Sequence, residues 1–422
     1  MREMKDSGIA WIGVIPQDWE IVRTKSLYCS AKEIAGDRAD DFERLALTLN
    51  GVIKRSKEDS VGLQPEKFSG YQILKKGELV FKLIDLENVA TSRVGLSPYT
   101  GIVSPAYIVL SKQSRAKDLV VRYSMYHFLS MWQREIFNQM GDNGVRSSLN
   151  AKELLNIPHP FPSIYEQKRI VTFLDAQCAE IDAVLEKTRA SIEEYKKLKQ
   201  AVITQAVTKG VRGDRPMKDS GIEWIGDIPA EWDVIRVKQL LKERNERSKE
   251  GKEEPLSMSQ KVGLVPTKFL ESIPNMASSF VGAKLAYVDD LVFNKLKAHL
   301  GVFSVSRYDG LVSPDYAVYC STGKSNLKYL EYIFKTPQCI GEFRKKSTGI
   351  AAGLMRLYTE GLFSIYLPYP ALSEQEEIAE YLNEKCAGID ALIVKKQQYL
   401  TEIENYKKSL IYEYVTGKKE VV

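Results

Sequence analysis

The chain has 422 residues, 44% hydrophobic and 27% charged, with a net charge of +5. That balance excludes a disordered or fibrous chain, and no stretch approaches the roughly 20 uncharged apolar residues that cross a bilayer. Met1-Arg2-Glu3-Met4-Lys5-Asp6 carries charge where a signal peptide has an apolar run, so a cytoplasmic protein is expected.

The first element is a motif that returns. Residues 4–23 and 217–236 align at an offset of 213, and both open Met-Lys-Asp-Ser-Gly-Ile-x-Trp-Ile-Gly-x-Ile-Pro-x-x-Trp. These two copies hold Trp11, Trp19, Trp224 and Trp232, four of the five tryptophans. A period this long marks a duplicated domain rather than a solenoid. Further copies follow in order. Val61-Gly62-Leu63 returns as Val262-Gly263-Leu264, Leu79-Val80-Phe81 as Leu291-Val292-Phe293, and Val103-Ser104-Pro105 with Tyr107 as Val312-Ser313-Pro314 with Tyr316. The front part of each half reads as mixed α/β, with short β-rich runs between Gly, Pro and Asp punctuation. A helical stretch is expected from Leu119 to Met140, with a counterpart near Leu327 to Phe343. The prolines of Ile157–Pro162 and Leu367–Pro370 are expected to stop regular structure there.

The back part of each half is a long helix. Residues 166–208 align without a gap on 374–416, and the first copy contains neither Gly nor Pro. Leu174, Cys178, Ile181, Leu185, Thr188, Ile192, Tyr195 and Val202 fall at heptad spacing. The second copy places Leu382, Cys386, Ile389, Ile393, Leu400, Ile403 and Leu410 in the same register, with Lys396 as a break. Each helix would be roughly 65 Å long. The expected fold is α/β (α+β): two similar globular domains separated by an antiparallel two-helix coiled coil, as a pseudo-two-fold internal repeat. The boundaries read as 1–162 and 211–370 for the domains, and 163–210 and 371–422 for the helices. Gly210–Pro216 is the linker between halves.

Charge is unevenly distributed. The first helix has net charge 0 and the second −4, leaving the remainder of the chain at +9. Basic globular parts and a neutral-to-acidic coiled coil suit phosphate contacts for the former and protein contacts for the latter. No catalytic cluster accompanies them. Gly323-Lys324-Ser325 ends like a P-loop, but Val318 stands where the leading glycine belongs. His127, His159 and His299 share no metal-ligand spacing, and Cys29, Cys178, Cys320, Cys339 and Cys386 form no C-x-x-C pair, so neither a metal site nor a disulfide framework is expected. His159, between prolines, reads as structural. Pro314-Asp315 hints at a nuclease metal site, but its copy is Pro105-Ala106, which excludes a duplicated one.

The doubled opening motif, the Val-Ser-Pro-x-Tyr element and the Glu-Gln-start helix ending in Val-Thr resemble specificity subunits of type I restriction-modification systems. The resemblance covers essentially the whole chain, twice, in the right order. It implies a non-catalytic, cytoplasmic DNA-binding subunit that reads a bipartite asymmetric double-stranded DNA target, one half-site per domain, with the helices setting the spacer. It also implies two methyltransferase subunits that use S-adenosylmethionine, and two motor-nuclease subunits that use ATP and Mg. This chain itself would hold no cofactor and no metal. Two other readings compete: a stand-alone two-headed DNA-binding protein such as a repressor, and a single-chain restriction enzyme, which the missing catalytic motifs weaken.

Base readout needs side chains that reach base edges from a framework held on phosphates. The basic clusters of the length-variable front parts are the candidates: Lys54, Arg55, Lys57 and Arg146 in the first domain, and Lys295, Lys297, His299, Arg344, Lys345 and Lys346 in the second. The Gly-rich loops differ. Gly144-Val145-Arg146-Ser147-Ser148-Leu149 stands against Gly349–Leu357, where Arg356 falls opposite Ser148. The tryptophans, retained in both halves, cannot explain two different half-sites and read as anchors between domain and helix.

Overall fold

A computed structural model describes residues 2–49, 51–59, 67–84, 86, 93–140, 148–260, 262–270, 280–349 and 355–421. Its contacts divide the chain into two units, Met1–Arg189 with Gln398–Val422, and Ala190–Gln397. The long helices run Ile164–Lys209 and Leu372–Val415. The division therefore falls inside both, and each unit contains a globular body together with a length of each helix.

In the first unit the opening motif folds as a hairpin, Met4–Asp6 against Val14–Pro16. Glu20–Arg23 then pairs antiparallel with Pro158–Phe161. The prolines expected to end regular structure thus sit within it. Pro158 and Pro160 are two residues apart, so both turn the same strand edge, and a two-stranded ladder leaves that edge without a partner. The body contains an antiparallel sheet ordered Tyr28–Cys29, Ile108–Lys112, Leu79–Phe81, Val94–Leu96. Leu79, Val80 and Phe81 are all fully buried, which explains their unbroken apolar run. A second sheet is ordered Gly51–Arg55, Arg44–Thr48, Gly101–Val103, Gln72–Leu74, with one parallel pairing of Ile102 on Arg44.

The second unit repeats this plan. Leu241–Arg244, Tyr316–Ser321, Leu291–Asn294 and Phe303–Val305 form the antiparallel sheet in the same order. The mixed sheet is reduced to a hairpin, Leu256–Ser259 with Gly263–Pro266, and a pair, Lys284–Ala286 with Gly310–Val312, joined by a parallel bridge from Pro255 to Leu311. The parallel contact demands glycine in both units. A Cβ on Gly101 would lie 2.5 Å from the Glu43 carbonyl, and one on Gly310 would lie 2.2 Å from that of Glu254.

The helical stretches differ from their expected continuity. The first is Val121–Gln133 followed by Ile136–Met140, interrupted where Glu135 takes φ +57°. The second is Leu327–Phe334 and then Pro337–Lys346, whose proline begins a new helix capped by the Thr336 side chain.

Within the first unit the helix lengths run antiparallel. Phe173 packs on Tyr414, Asp182 meets Lys407 at 2.5 Å, and Arg189 meets Glu404 at 2.7 Å. Within the second unit Lys199 meets Asp390 at 2.6 Å and Arg212 meets Glu377 at 2.8 Å, again in opposite senses. Ion pairs this exposed contribute at most about 1 kcal/mol each, so the apolar seam dominates. Leu174, Cys178, Leu185, Ile192, Leu382, Cys386 and Leu410 are buried, and Ile181, Ile389, Ile393, Leu400 and Ile403 are half-buried. The break at Lys396 has a local accommodation: its ammonium lies 5.6 Å from the Tyr195 ring centroid, a cation–π contact at a heptad position.

Candidate nucleic-acid interface and its supports

Each body grips the start of one long helix and the end of the other through the same set of side chains. Trp19 is fully buried and its indole Nε1 donates to Glu166 Oε2 at 2.9 Å; Trp232 does the same to Glu374 Oε2 at 3.0 Å. A carboxylate withdrawn from water needs a cation as well as a donor. Arg2 supplies it for Glu166 while also meeting Asp18 at 2.8 Å. Arg215 meets Glu374 and Glu231, each at 2.7 Å. The next residue is a buried glutamine that stitches the helix start to the body. Gln167 accepts from Val120 N at 2.8 Å and donates to the Pro162 carbonyl at 2.9 Å. Gln375 accepts from Asn326 N and donates to the Pro370 carbonyl, both at 3.0 Å.

The helix ends are held by buried tyrosines. Tyr123 donates to the Val415 carbonyl at 2.9 Å, and Tyr329 reaches the Val207 carbonyl at 3.4 Å. Burial pushes both phenols well above their usual range, so they stay protonated donors. Trp11 and Trp224 are half-buried against the hydrophobic cores. The tryptophans are therefore packing anchors, as their retention in both halves requires. The arginines of this clamp lie just outside the repeated motif, which begins at Met4 and Met217. Two residues upstream, Arg2 and Arg215 stand at the same offset of 213.

The first unit brings Lys54, Arg55 and Lys57 onto one cleft of about 580 Å³ and surrounds them with acids, Asp40, Asp41, Glu43 and Glu58. Lys54 meets Glu43 at 2.6 Å, which raises its pKa, and lies 5.2 Å from the Tyr99 ring. Arg55 meets Asp59 at 2.7 Å, and Lys57 donates to the Ala39 carbonyl at 2.8 Å with Asp40 at 3.4 Å. The positive charge here is locally compensated. Arg146 lies outside the described residues, as do Val61–Leu63 of the repeat.

The second unit is different. The single turn Ala298–Leu300, which follows Lys297, packs on the helix Pro337–Lys346, and His299 in it feels the charge of Arg344 at that helix's basic end. Lys297, Arg344 and Lys346 are exposed, while Lys345 meets Glu342 at 2.7 Å. His299 is buried; burial and the nearby Arg344 charge both hold its pKa down. Lys295 donates to the Pro314 carbonyl at 3.2 Å, and burial and then Lys284 lower its pKa. Arg356, placed opposite Ser148 by the alignment, bridges to Thr348 and meets Asp315 at 3.4 Å. Among the described residues no group of three or more His, Cys, Asp or Glu side chains is arranged to hold a metal ion, and no helix is long and apolar enough to cross a membrane.

Two bodies of one plan, each clamped to a length of both long helices and each bearing a different basic surface, define an internally duplicated α+β protein. No family model matches the sequence. The chain is 24% identical over 96% of its length to the type I restriction enzyme MjaVIII specificity subunit of Methanocaldococcus jannaschii, covering 94% of that protein. It is 25% identical over 97% of its length to the putative MjaX specificity subunit of the same organism, covering 96% of it. Its fold is that of a chain from a type I restriction-modification assembly (TM-score 0.70, 14% identity, 96% and 99% of the two chains). It also matches the HsdS subunit of Thermoanaerobacter tengcongensis (TM-score 0.50, 14% identity, 96% and 98%). Over 96–97% of its length the chain is thus similar to type I restriction enzyme specificity subunits.

Proposed function

We propose that this protein is the DNA-sequence-specificity subunit of a type I restriction-modification system, without catalysis of its own. The observation that carries the reading is end-to-end similarity to specificity subunits, in a chain whose duplicated halves match in their clamps and differ in their basic surfaces. A shared clamp holds each body on the helices; unlike surfaces suit unlike half-sites. Residues 1–162 would read one half of a bipartite asymmetric target and 211–370 the other. The basic candidates named above, Arg146 included, would supply phosphate and base contacts, with Lys297, Arg344 and Lys346, exposed and without an ion pair among the described residues, carrying most of the phosphate attraction in the second domain. Leu174, Cys178, Ile181, Leu185, Ile192, Leu382, Cys386, Ile389, Ile393, Leu400 and Ile403 would form the seam of a spacer that also docks protein. The partners would be two methyltransferase subunits, using S-adenosylmethionine, and two restriction subunits, using ATP and Mg, in the cytoplasm. The stand-alone repressor reading draws no support from the relatives. Co-expression with the methyltransferase of its own operon tests the proposal. A stable complex with two methyltransferase copies that binds a split DNA site is expected; a chain that purifies alone and binds DNA unaided would overturn it.

A further inference from the structure

The body of the first unit contains a buried polar cluster that the second unit lacks. His127 and His159 lie with ring centroids 4.5 Å apart, and both are buried with Ser124 and Tyr28. His159 Nδ1 contacts the Pro160 carbonyl at 2.7 Å, so that nitrogen carries the proton, and Nε2 accepts from Ser124 Oγ at 2.9 Å. Among the described residues His127 Nε2 has no partner, and the buried Tyr28 hydroxyl has only the Ser124 hydroxyl beside it. The repeat supplies the comparison. Tyr123 and Tyr329 play the same role, which sets Ser124 against Leu330 and His127 against Ile333. The edge ladders set His159, opposite Val22, against Leu367, opposite Ile235. Tyr28 and Leu241 begin matching strands. Leu241, Leu330, Ile333 and Leu367 are all buried. Four polar groups in one core are thus four aliphatic side chains in the other.

We propose that this cluster makes the first domain selectively labile to mild acid, so that acidification releases one of the two bodies and spares the other. Beyond the Pro158 and Pro160 carbonyls, one on each ring, the surroundings are aromatic and offer no charge to stabilise an added proton. Trp11 lies 5.7 Å from His127, Phe128 flanks both rings, and Tyr123 lies 5.7 Å from His159. The titratable groups facing the pair are the tyrosines Tyr28 and Tyr123. Two charges on neighbouring elements are held by other atoms: Arg134 on the Trp11 carbonyl, and Glu166 on Arg2 and Trp19. Among the described residues no carboxylate bonds to either imidazole. A proton on His127 Nε2 would have no acceptor, and a proton on His159 Nε2 would turn the Ser124 hydroxyl from donor to acceptor and leave a charge in a site closed to water.

Burial pushes His159 down to about 4, and burial with the neighbouring His159 pushes His127 well below its usual value. Both folded-state values lie below the unfolded one, so the unfolded chain takes up protons first as the pH falls through about 6.5. The stability these groups permit is full above that pH and declines below it. Two such histidines raise the opening equilibrium of the first domain roughly 60-fold between pH 7 and 5.5. The second domain, with only His299, changes at most about eightfold. Ordinary carboxylates stay ionised across this range.

Hydrogen exchange of the full chain, expressed as protection factors to remove the intrinsic pH dependence, reads this directly. Val121–Gln133 should lose protection several-fold more than Leu327–Phe334 between pH 7 and 5.5. Equal changes in the two, or none in the first, would overturn the proposal. Imidazole proton resonances supply a second readout that needs no variant: titration of either ring near 6.5 in the folded protein would also overturn it. The quadruple change Tyr28→Leu, Ser124→Leu, His127→Ile, His159→Leu, which installs the second core in the first, should remove the difference; a folded variant that kept it would count against the cluster as its source. These measurements concern stability alone. Selective loss of one half-site at pH 5.5 follows only if the proposed function also holds.

Discussion

The indole nitrogen of Trp19 donates to Glu166, and the same bond joins Trp232 to Glu374. The two differ in burial: the Glu166 side chain keeps 20% of its exposure and that of Glu374 only 4%. Replacing either tryptophan by phenylalanine keeps most of the packing but removes a donor from a buried carboxylate, a loss of about 1–3 kcal/mol. Urea denaturation should show a lower midpoint for both variants, and Trp232→Phe should cost more than Trp19→Phe. The reverse order would mean that packing, not the hydrogen bond, sets the anchor's worth.

The ends of the long helices give a second test. Gly210 and Gly417 adopt φ +76° and +69°. A Cβ on Gly210 would come 1.9 Å from the Arg215 guanidinium, and one on Gly417 would come 2.4 Å from the Pro16 ring. Gly210→Ala and Gly417→Ala should each destabilise by more than about 1 kcal/mol, through backbone strain and the displaced clamp. Gly213→Ala, where a Cβ meets nothing within 4 Å, should stay within about 0.5 kcal/mol of the parent in thermal denaturation.

How far the sequence reaches is visible in these same residues. The long helices were legible because a heptad pattern kept in register across two copies has few other physical causes. The tryptophan anchors were legible because identity across two otherwise divergent domains argues for packing. The clamp around them was not, since Arg2 and Glu166 are 164 residues apart and only folding makes them partners. Nor was the break at Glu135, where a non-glycine residue takes a left-handed conformation that no local pattern signals. Among the basic candidates, composition identified Lys54 and Lys57 but could not show that Glu43 and Asp40 stand beside them. His299 looked like a surface base and is buried.

The unequal charge compensation predicts unequal effects on DNA binding. Lys297→Ala, Arg344→Ala and Lys346→Ala should each weaken binding across all sequences and reduce the salt slope by about 1. Lys54→Ala and Lys57→Ala should reduce the slope less, since each ammonium is already engaged by a carboxylate and makes the weaker phosphate contact. Fluorescence anisotropy of the methyltransferase-bound complex against DNA, across a salt series, measures both slopes. Larger effects at Lys54 and Lys57 would place the phosphate contacts in the compensated cleft instead.

The central claim, that one duplicated chain chooses a split DNA site for a methyltransferase, is tested most directly by the host methylome. Deleting the gene should erase one bipartite, asymmetric methyladenine motif, and restoring it should return the same motif with the same spacer. A methylome unchanged by the deletion would contradict the account.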